Sequence, residues 1–143
     1  DVATRLEGRF RDRSEPPLPT VVTQRLRAYL DIAGTADAIA PRFRQLGGGQ
    51  KFAGATDYFE KRLAAMEDLG LNPRRFEFRS TFGRELEYYT GFVFQIEANS
   101  GDAPLVVGGG GRYDNLLSDM GAAEKITAVG CAIHTERLKT VLA

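Results

Sequence analysis

The sequence has few of the residues that build disulfides and metal centres. A single cysteine, Cys131, excludes an internal disulfide and any metal site made of several thiolates. A single histidine, His134, likewise excludes a histidine-rich metal site. We therefore expect no metal and no other cofactor. The scarcity of thiols suits a reducing compartment, and we expect a cytoplasmic protein.

A surplus of charge of one sign and long apolar runs are also missing. The 19 Lys and Arg residues balance the 19 Asp and Glu residues, so the formal net charge is +0. The composition therefore gives no electrostatic preference for nucleic acid or for a membrane surface. Apolar runs such as residues 105–107 are far shorter than the roughly 20 residues that span a bilayer. A length of 143 residues predicts one globular domain with room for a helical appendage.

The first 75 residues show helical periodicity. Val2, Leu6 and Phe10 recur at helical spacing before a proline-rich break. The glycine loop at 47–49 lacks the lysine and hydroxyl residue of a phosphate-binding loop. This part of the chain carries no recognisable catalytic motif, and its arginines are expected to form solvated faces or a partner-binding patch. Helical segments are expected at 21–33, 35–46 and 56–69, the last with Gly70 as its stop. Within 35–46, Pro41 either kinks the helix or begins a second short one.

From Phe76 onward apolar residues alternate with polar ones, which predicts strands. We expect the alternating stretches to form one antiparallel sheet with an apolar face and a polar face. On this alternation Tyr88 and Tyr89 point to opposite faces, one into the core and one presenting its hydroxyl to a small ligand. The fold class is therefore expected to be α+β, with a boundary at residue 75. The alternating stretches are 76–79, 86–89 and 92–97.

Four consecutive glycines at 108–111 directly follow an apolar strand. Glycine within a strand leaves no side chain, so another group can approach the backbone closely. Arg112 follows at the mouth of a predicted short helix, 115–120, and this arrangement suits an anionic or planar ligand. A last strand at 127–134 and a helix from Thr135 are expected to complete this half.

Individual polar residues of this half have competing interpretations. Arg84 and Arg137 are candidates for carboxylate or phosphate contacts, and the alternative for each is a surface ion pair. The alternative for the two tyrosines is sheet packing. Cys131 is expected to be an inert thiol in the core, and His134 a packed or capping residue. No nucleophile has a base beside it in sequence, so nothing indicates a nucleophilic triad.

Three motifs in this half resemble those of histidyl-tRNA synthetases. Residues 84–91 (RELEYYTG) resemble the histidine-binding motif R-G-L-D-Y-Y-T-G, and residues 109–116 (GGGRYDNL) resemble the G-G-R-Y-D-x-L element. Residues 128–138 (AVGCAIHTERL) resemble motif 3. The resemblance implies a class II aminoacyl-tRNA synthetase-like α+β fold. In it, residues 76–143 form the C-terminal part of the catalytic core, and residues 1–75 correspond to an insertion-like helical segment.

The resemblance also implies roles for individual residues. Arg84 takes the position of an arginine that assists adenylate formation, and the tyrosine pair that of residues recognising histidine. Arg137 takes the position of the motif 3 arginine that contacts ATP. The residues implied to form a histidine-like pocket are Arg84, Tyr88, Tyr89, Gly109, Gly110, Gly111 and Arg112.

Three departures from the family pattern point away from catalysis. Glu85 replaces a glycine, Gln95 replaces a glutamate, and the bulky His134 replaces the small glycine of motif 3. Motifs 1 and 2 have no counterpart in these 143 residues. We therefore expect a non-catalytic paralogue, of the kind that serves as regulatory subunit of ATP phosphoribosyltransferase in histidine biosynthesis. In such a protein Arg137 would mark a vestigial nucleotide site.

On this hypothesis the partner is the catalytic phosphoribosyltransferase subunit, which the protein activates while sensing histidine. A homo-oligomer is expected for the full-length form, and no membrane or tRNA is expected as a partner. One alternative is a fragment of a true histidyl-tRNA synthetase, which activates histidine with ATP and charges tRNA. Another is an α+β domain whose sheet binds a different small molecule.

Overall fold

The computed structural model describes positions 4, 7, 8 and 11 and residues 16–84, 88–101 and 103–143. The chain divides into two compact units, residues 1–82 and residues 83–143. The helix predicted for residues 1–13 lies largely outside the described residues.

Three helices and a two-stranded sheet make up the described part of the first unit, from residue 16 to residue 82. The two strands pair antiparallel, and a 3₁₀ turn at Pro73–Arg75 precedes the second strand. The elements are α1 (Thr20–Leu30), β1 (Ala33–Thr35), α2 (Ala36–Leu46), α3 (Gln50–Asp68) and β2 (Glu77–Arg79).

Helix ends in this unit follow proline and glycine signals. Helix α1 follows Pro19 but ends before the predicted residue 33, because β1 begins there. Helix α3 starts directly after the glycine loop, earlier than the predicted residue 56. The predicted stop at Gly70 is confirmed: its φ is +77°, and its N–H donates to the Glu67 carbonyl at 2.8 Å. The N–H of Leu71 donates to the Met66 carbonyl at 2.9 Å, which completes a Schellman motif.

One face of α2 forms the centre of the core in the first unit. Ala36, Ile39, Ala40 and Phe43 recur at helical spacing and are buried, with Ile39 at 0% exposure. Phe43 packs edge-on against three further rings. Their centroid distances from Phe43 are 6.2 Å for Phe52, 5.4 Å for Phe59 and 5.3 Å for Phe78.

Residues 76–79 were predicted to join the C-terminal sheet, and this prediction is wrong. Strand β2 pairs instead with β1 of the helical unit, and Phe78 packs against the helical core. The N–H of Ser80 donates to the carbonyl of Ile32, which holds the end of β2 in place. The observed division follows Phe82, whereas the predicted boundary was residue 75. Alternation identifies a strand but not the strand with which it pairs.

The second unit contains a three-stranded antiparallel sheet with the strand order β3-β4-β5. A turn with Gly101 at φ +62° follows β3 and precedes β4. The final helix packs against β4 and β3. The elements are β3 (Val93–Ser100), β4 (Ala103–Arg112), α4 (Leu116–Asp119), β5 (Val129–Ile133) and α5 (Thr135–Leu142).

The glycine half of β4 is hydrogen-bonded on both sides. Residues 108–111 pair with the first half of β3 and with β5. A β-bulge between Ile96 and Glu97 shifts the register beyond the glycines. Because neighbouring positions on a strand face opposite sides, Gly109 and Gly111 share one face of the sheet. Residues 108 and 110 belong to the other face.

Two predictions about β5 had different outcomes. The strand and the following helix from Thr135 are confirmed. The prediction that Cys131 is buried is wrong, because the cysteine is exposed. Its neighbours on the same face, Val129 and Ile133, are 64% and 61% exposed. The alternation is present as predicted, but this face of the strand does not form a core. No helix in the described part of the chain is long and apolar enough to cross a membrane.

Candidate functional site

The floor of the candidate site is the bare backbone of β4. A Cβ added at Gly109 would overlap with Nη1 of Arg84 and lie 3.1 Å from Cζ. A Cβ added at Gly111 would lie 2.8 Å from Cδ1 of the Tyr89 ring. The side chains of Arg84 and Tyr89 therefore rest directly on the strand, and only glycine allows this close approach.

Tyr113 adds a third side chain to this group. A Cβ added at Gly130 would overlap with the Tyr113 hydroxyl and lie 3.2 Å from Cζ of the ring. Gly130 pairs with Gly111, so Tyr113 lies on the same face of the sheet as Tyr89. The sequence interpretation did not include Tyr113 in the site. Its place within the G-G-R-Y-D element was the signal that could have identified it.

The three tyrosine rings form one cluster. The ring centroids of Tyr88 and Tyr89 are 4.7 Å apart, and those of Tyr88 and Tyr113 are 5.5 Å apart at an interplanar angle of 86°. The prediction that Tyr88 and Tyr89 point to opposite faces is wrong, because residues 88–91 form a turn and irregular backbone instead of a strand. The turn brings both rings to the same place.

Electrostatics link Arg84 to the tyrosine cluster. A side-chain hydrogen bond with Tyr89 raises the pKa of Tyr88 above its ordinary value of 10.0, and desolvation adds to the increase. The positive charge of Arg84 acts in the opposite direction on the same pKa. The Nε atom of Arg84 is buried and has no hydrogen-bond partner in the described part of the chain. Because an unpaired buried donor costs about 1–3 kcal/mol, this N–H is suited to a ligand acceptor.

Gln95 and Glu97 extend the polar part of the site along β3. Gln95 pairs with Gly109 and therefore lies on the face that carries Arg84. Its Nε2 donates to Oε1 of Glu97 at 2.6 Å. A guanidinium, phenol hydroxyls and a carboxamide thus lie on one sheet face. Such a set can bind a small polar molecule that carries a carboxylate and an aromatic ring.

Arg112, predicted as a ligand contact, is engaged with the protein itself. Its Nε donates to Oδ2 of Asp114 at 2.7 Å. The methylene groups of its side chain pack against Gly91, where a Cβ would lie 3.0 Å from Cδ. This geometry assigns Arg112 a role in holding the local backbone.

Gly110 belongs to the face opposite Arg84, and Arg137 is engaged with the backbone of β4. A Cβ at Gly110 would lie 2.7 Å from Cα of Cys131, so this glycine allows close pairing with β5. Nη1 of Arg137 donates to the Val106 carbonyl at 3.1 Å. His134 precedes α5 as its N-cap residue, and its N–H donates to the backbone of β4. The departure at Glu85 lies outside the described residues. The predicted site residues that converge are Arg84, Tyr88, Tyr89, Gly109 and Gly111.

Comparison with known protein families covers nearly the whole chain. The family model described as histidyl-tRNA synthetase matches residues 11–138. The chain belongs to the histidyl-tRNA synthetase family. Family membership thus includes the helical unit as well as the unit that carries the three motifs.

Within the histidyl-tRNA synthetase family, the chain is similar to proteins described as ATP phosphoribosyltransferase regulatory subunits. It is 43% identical over 108 residues to one from Allorhizobium ampelinum, an alignment that covers 76% of this chain and 26% of the relative. It is 39% identical over 120 residues to one from Rhizobium meliloti, an alignment that covers 82% of this chain and 31% of that relative. The chain therefore spans about a quarter to a third of the length of these relatives.

A solved structure shares the fold. It is described as an ATP phosphoribosyltransferase regulatory subunit/histidyl-tRNA synthetase from Bacillus halodurans. The TM-score is 0.67 at 26% sequence identity, and the match covers 89% of this chain and 32% of the other. The predicted class II synthetase-like α+β fold is confirmed by this match.

Proposed function

We propose that the protein carrying this chain is a regulatory subunit of ATP phosphoribosyltransferase in histidine biosynthesis and does not charge tRNA. The observation that carries the proposal is the identity of 39–44% to proteins described as such regulatory subunits. In this role the protein acts on its catalytic partner and performs no reaction of its own.

The side chains that converge on the second unit support histidine as the sensed molecule. The Arg84 guanidinium is suited to a carboxylate because its N–H donors match two oxygens. The neighbouring phenols of Tyr89 and Tyr113 provide hydroxyls and ring faces for an imidazole. The glycines at 109 and 111 let the side chains of Arg84 and Tyr89 lie directly on the β4 backbone, which brings these two groups together on one face of the sheet.

The proposal also names the partner, the oligomeric form and the compartment of the complete protein. The partner is the catalytic phosphoribosyltransferase subunit, and the complete protein forms a homo-oligomer in the cytoplasm. The first unit, predicted as residues 1–75 and observed as residues 1–82, corresponds to an insertion-like helical segment. Feedback requires that histidine bind one state of the assembly more tightly than the other, because only differential affinity shifts an equilibrium.

The test uses the complete protein that carries this chain, together with the catalytic subunit. Phosphoribosyl transfer to ATP is measured with and without the regulatory protein and over a range of histidine concentrations. We expect stimulation by the wild-type protein and inhibition by histidine. Arg84→Ala should retain the stimulation and lose most of the histidine response, whereas Arg74→Ala, an exposed arginine of the first unit, should change neither.

The absence of any stimulation would contradict the regulatory role. A different result is that the wild-type protein stimulates the catalytic subunit with no effect of histidine and no histidine binding in calorimetry. That result would support the regulatory role and exclude histidine as the sensed molecule. Each part of the proposal therefore has its own failing outcome.

A second candidate function is histidine activation by a true synthetase, which the match to the histidyl-tRNA synthetase family favours. Histidine-dependent exchange of pyrophosphate into ATP by the complete protein is the measurement. Exchange that disappears in Arg137→Ala would establish this function and overturn the regulatory proposal.

A further inference from the structure

The tyrosine cluster is carried by two backbone segments that are tied to each other. Residues 88–91 carry two of the rings, and residues 112–114 carry the third. The N–H of Thr90 donates to the Arg112 carbonyl at 2.9 Å, and the N–H of Asp114 donates to Oγ1 of Thr90 at 2.8 Å. The Thr90 hydroxyl and backbone thus fix the spacing between the two segments.

The ion pair between Arg112 and Asp114 closes the second segment on itself. The two side chains are only 29% and 19% exposed, so this ion pair is largely shielded from water. Shielding from water strengthens the attraction and makes the loss of either partner costly. The stem of Arg112 also covers Gly91, so the same side chain contacts both segments.

Tyr113 lies between the two charged residues in sequence but on the opposite side of the strand end. Arg112 and Asp114 are two positions apart and meet on one side, while the Tyr113 ring lies over the Gly130 backbone. The N–H of Tyr113 donates to the Ala128 carbonyl at 2.9 Å. The ion pair therefore restrains the backbone on both sides of the tyrosine.

We propose that Arg112 and Asp114 are positioning residues whose ion pair, together with Thr90, holds the rings of Tyr88, Tyr89 and Tyr113 in place over the β4 and β5 backbone. Neither residue needs to touch the ligand for this role. The consequence for ligand affinity rests on the proposed function, because it assumes that the cluster binds histidine. The positions of the three tyrosine rings, by contrast, are expected to depend on the ion pair whether or not any ligand binds.

The test compares Asp114→Asn and Arg112→Lys with a matched control pair in the complete protein. Asn keeps the size of the side chain and the backbone N–H to Thr90 but removes the charge. Lys keeps the charge and part of the stem but lacks a donor at the Nε position. Glu77→Gln and Arg79→Lys are the controls, since Glu77 and Arg79 form an ion pair of the same spacing that is 58% and 62% exposed.

Two readouts follow each variant: the tyrosine ring signals in an NMR spectrum of ring-labelled protein, and the histidine affinity by calorimetry. Tyr→Phe substitutions at 88, 89 and 113 assign the ring signals. We expect these three signals to shift in Asp114→Asn, while those of Tyr29 and Tyr58 stay in place. Histidine should bind about tenfold more weakly. Arg112→Lys should shift the ring signals less and weaken histidine binding less than Arg112→Ala does. The control pair should change neither the ring signals nor the histidine affinity.

The proposal is overturned if Asp114→Asn and Arg112→Lys both leave the ring signals of the three clustered tyrosines unchanged. This holds whatever happens to the affinity for histidine. Shifted rings in a protein whose wild type does not bind histidine would support the positioning role while contradicting histidine as the ligand. If Asp114→Asn loses the dispersed signals of Tyr29 and Tyr58 as well as those of the three clustered tyrosines, and so fails to fold, Thr90→Val decides. It removes only the hydroxyl acceptor and should shift the same three rings.

Discussion

The ring of Tyr89 rests on the backbone of Gly111. A Cβ at that glycine would lie 2.8 Å from Cδ1 and 2.9 Å from Cε1 of the ring, well inside van der Waals contact. The position of the aromatic side chain therefore depends on the absence of any side chain beneath it. Arg84 and Gly109 show the same relationship two residues earlier on β4.

Gly111→Ala is expected to displace the Tyr89 ring and weaken histidine binding. The added methyl group meets both the ring and the Phe92 carbonyl, so overpacking should also lower the free energy of unfolding by about 1–3 kcal/mol. Calorimetry measures the affinity and urea titration the stability. The matched control is Gly83→Ala, where a Cβ has no neighbour within 4 Å and the backbone is not left-handed. Equal affinities of wild type and Gly111→Ala would refute the contact as part of the site.

The pH dependence of the site follows from the raised pKa of Tyr88. A raised pKa means that folding favours the neutral phenol, because the hydrogen bond with Tyr89 stabilises the neutral form of Tyr88 relative to its anion. This contribution to stability is fully present below about pH 10, the ordinary pKa of tyrosine, and is lost as the pH rises through the raised value. In an absorbance titration at alkaline pH, Tyr89→Phe should lower the pKa of Tyr88. A titration identical to that of the wild type would contradict the hydrogen bond.

Phe43→Ala is expected to cost the first unit about 3–5 kcal/mol of unfolding free energy. Phe43 is 6% exposed and contacts rings from α1, α3 and β2, so its removal leaves a cavity at the centre of the core. Leu69→Ala serves as the control, because that side chain is 79% exposed and should change stability by less than about 0.5 kcal/mol. Urea titration followed by circular dichroism compares the two, and similar losses would contradict the core assignment.

Gly54→Ala is expected to stabilise the first unit. Gly54 lies inside α3, where a Cβ would meet no atom within 4 Å, so alanine fits without strain. Alanine also restricts the unfolded chain, and the expected gain is about 0.5–1 kcal/mol. A rise in melting temperature checks this prediction. A lower melting temperature would indicate that another part of the complete protein packs against Gly54 on this face of α3.

Features that depend on neighbouring residues in the sequence, such as helix ends, could be predicted from the sequence. The stop of α3 at Gly70 depends on a glycine that adopts a left-handed conformation, and the helix after Thr135 follows a strand directly. The pairing of β2 with β1 could not be predicted in this way, because alternation is equally compatible with either sheet. The exposure of Cys131 was missed for a related reason: alternation predicts which residues share a face but not what covers that face.

The candidate site could be predicted only in part. Arg84 and the tyrosine pair were found because they lie in a motif, and the structure brings them together over Gly109 and Gly111. The different tasks of Gly110 and Arg112 depend on which face of β4 each residue occupies. That register is set by pairing with β3 and β5, and it is not visible in a run of identical glycines.

The glycines at 109, 110, 111 and 130 also limit how this stretch of sequence can change. Every replacement of a glycine adds at least a Cβ, and at each of these positions that atom would meet Arg84, β5, Tyr89 or Tyr113. No single substitution there is conservative, because no smaller or equal residue exists. The segment is therefore expected to be intolerant to mutation at four nearby positions, even though none of them contributes a functional group.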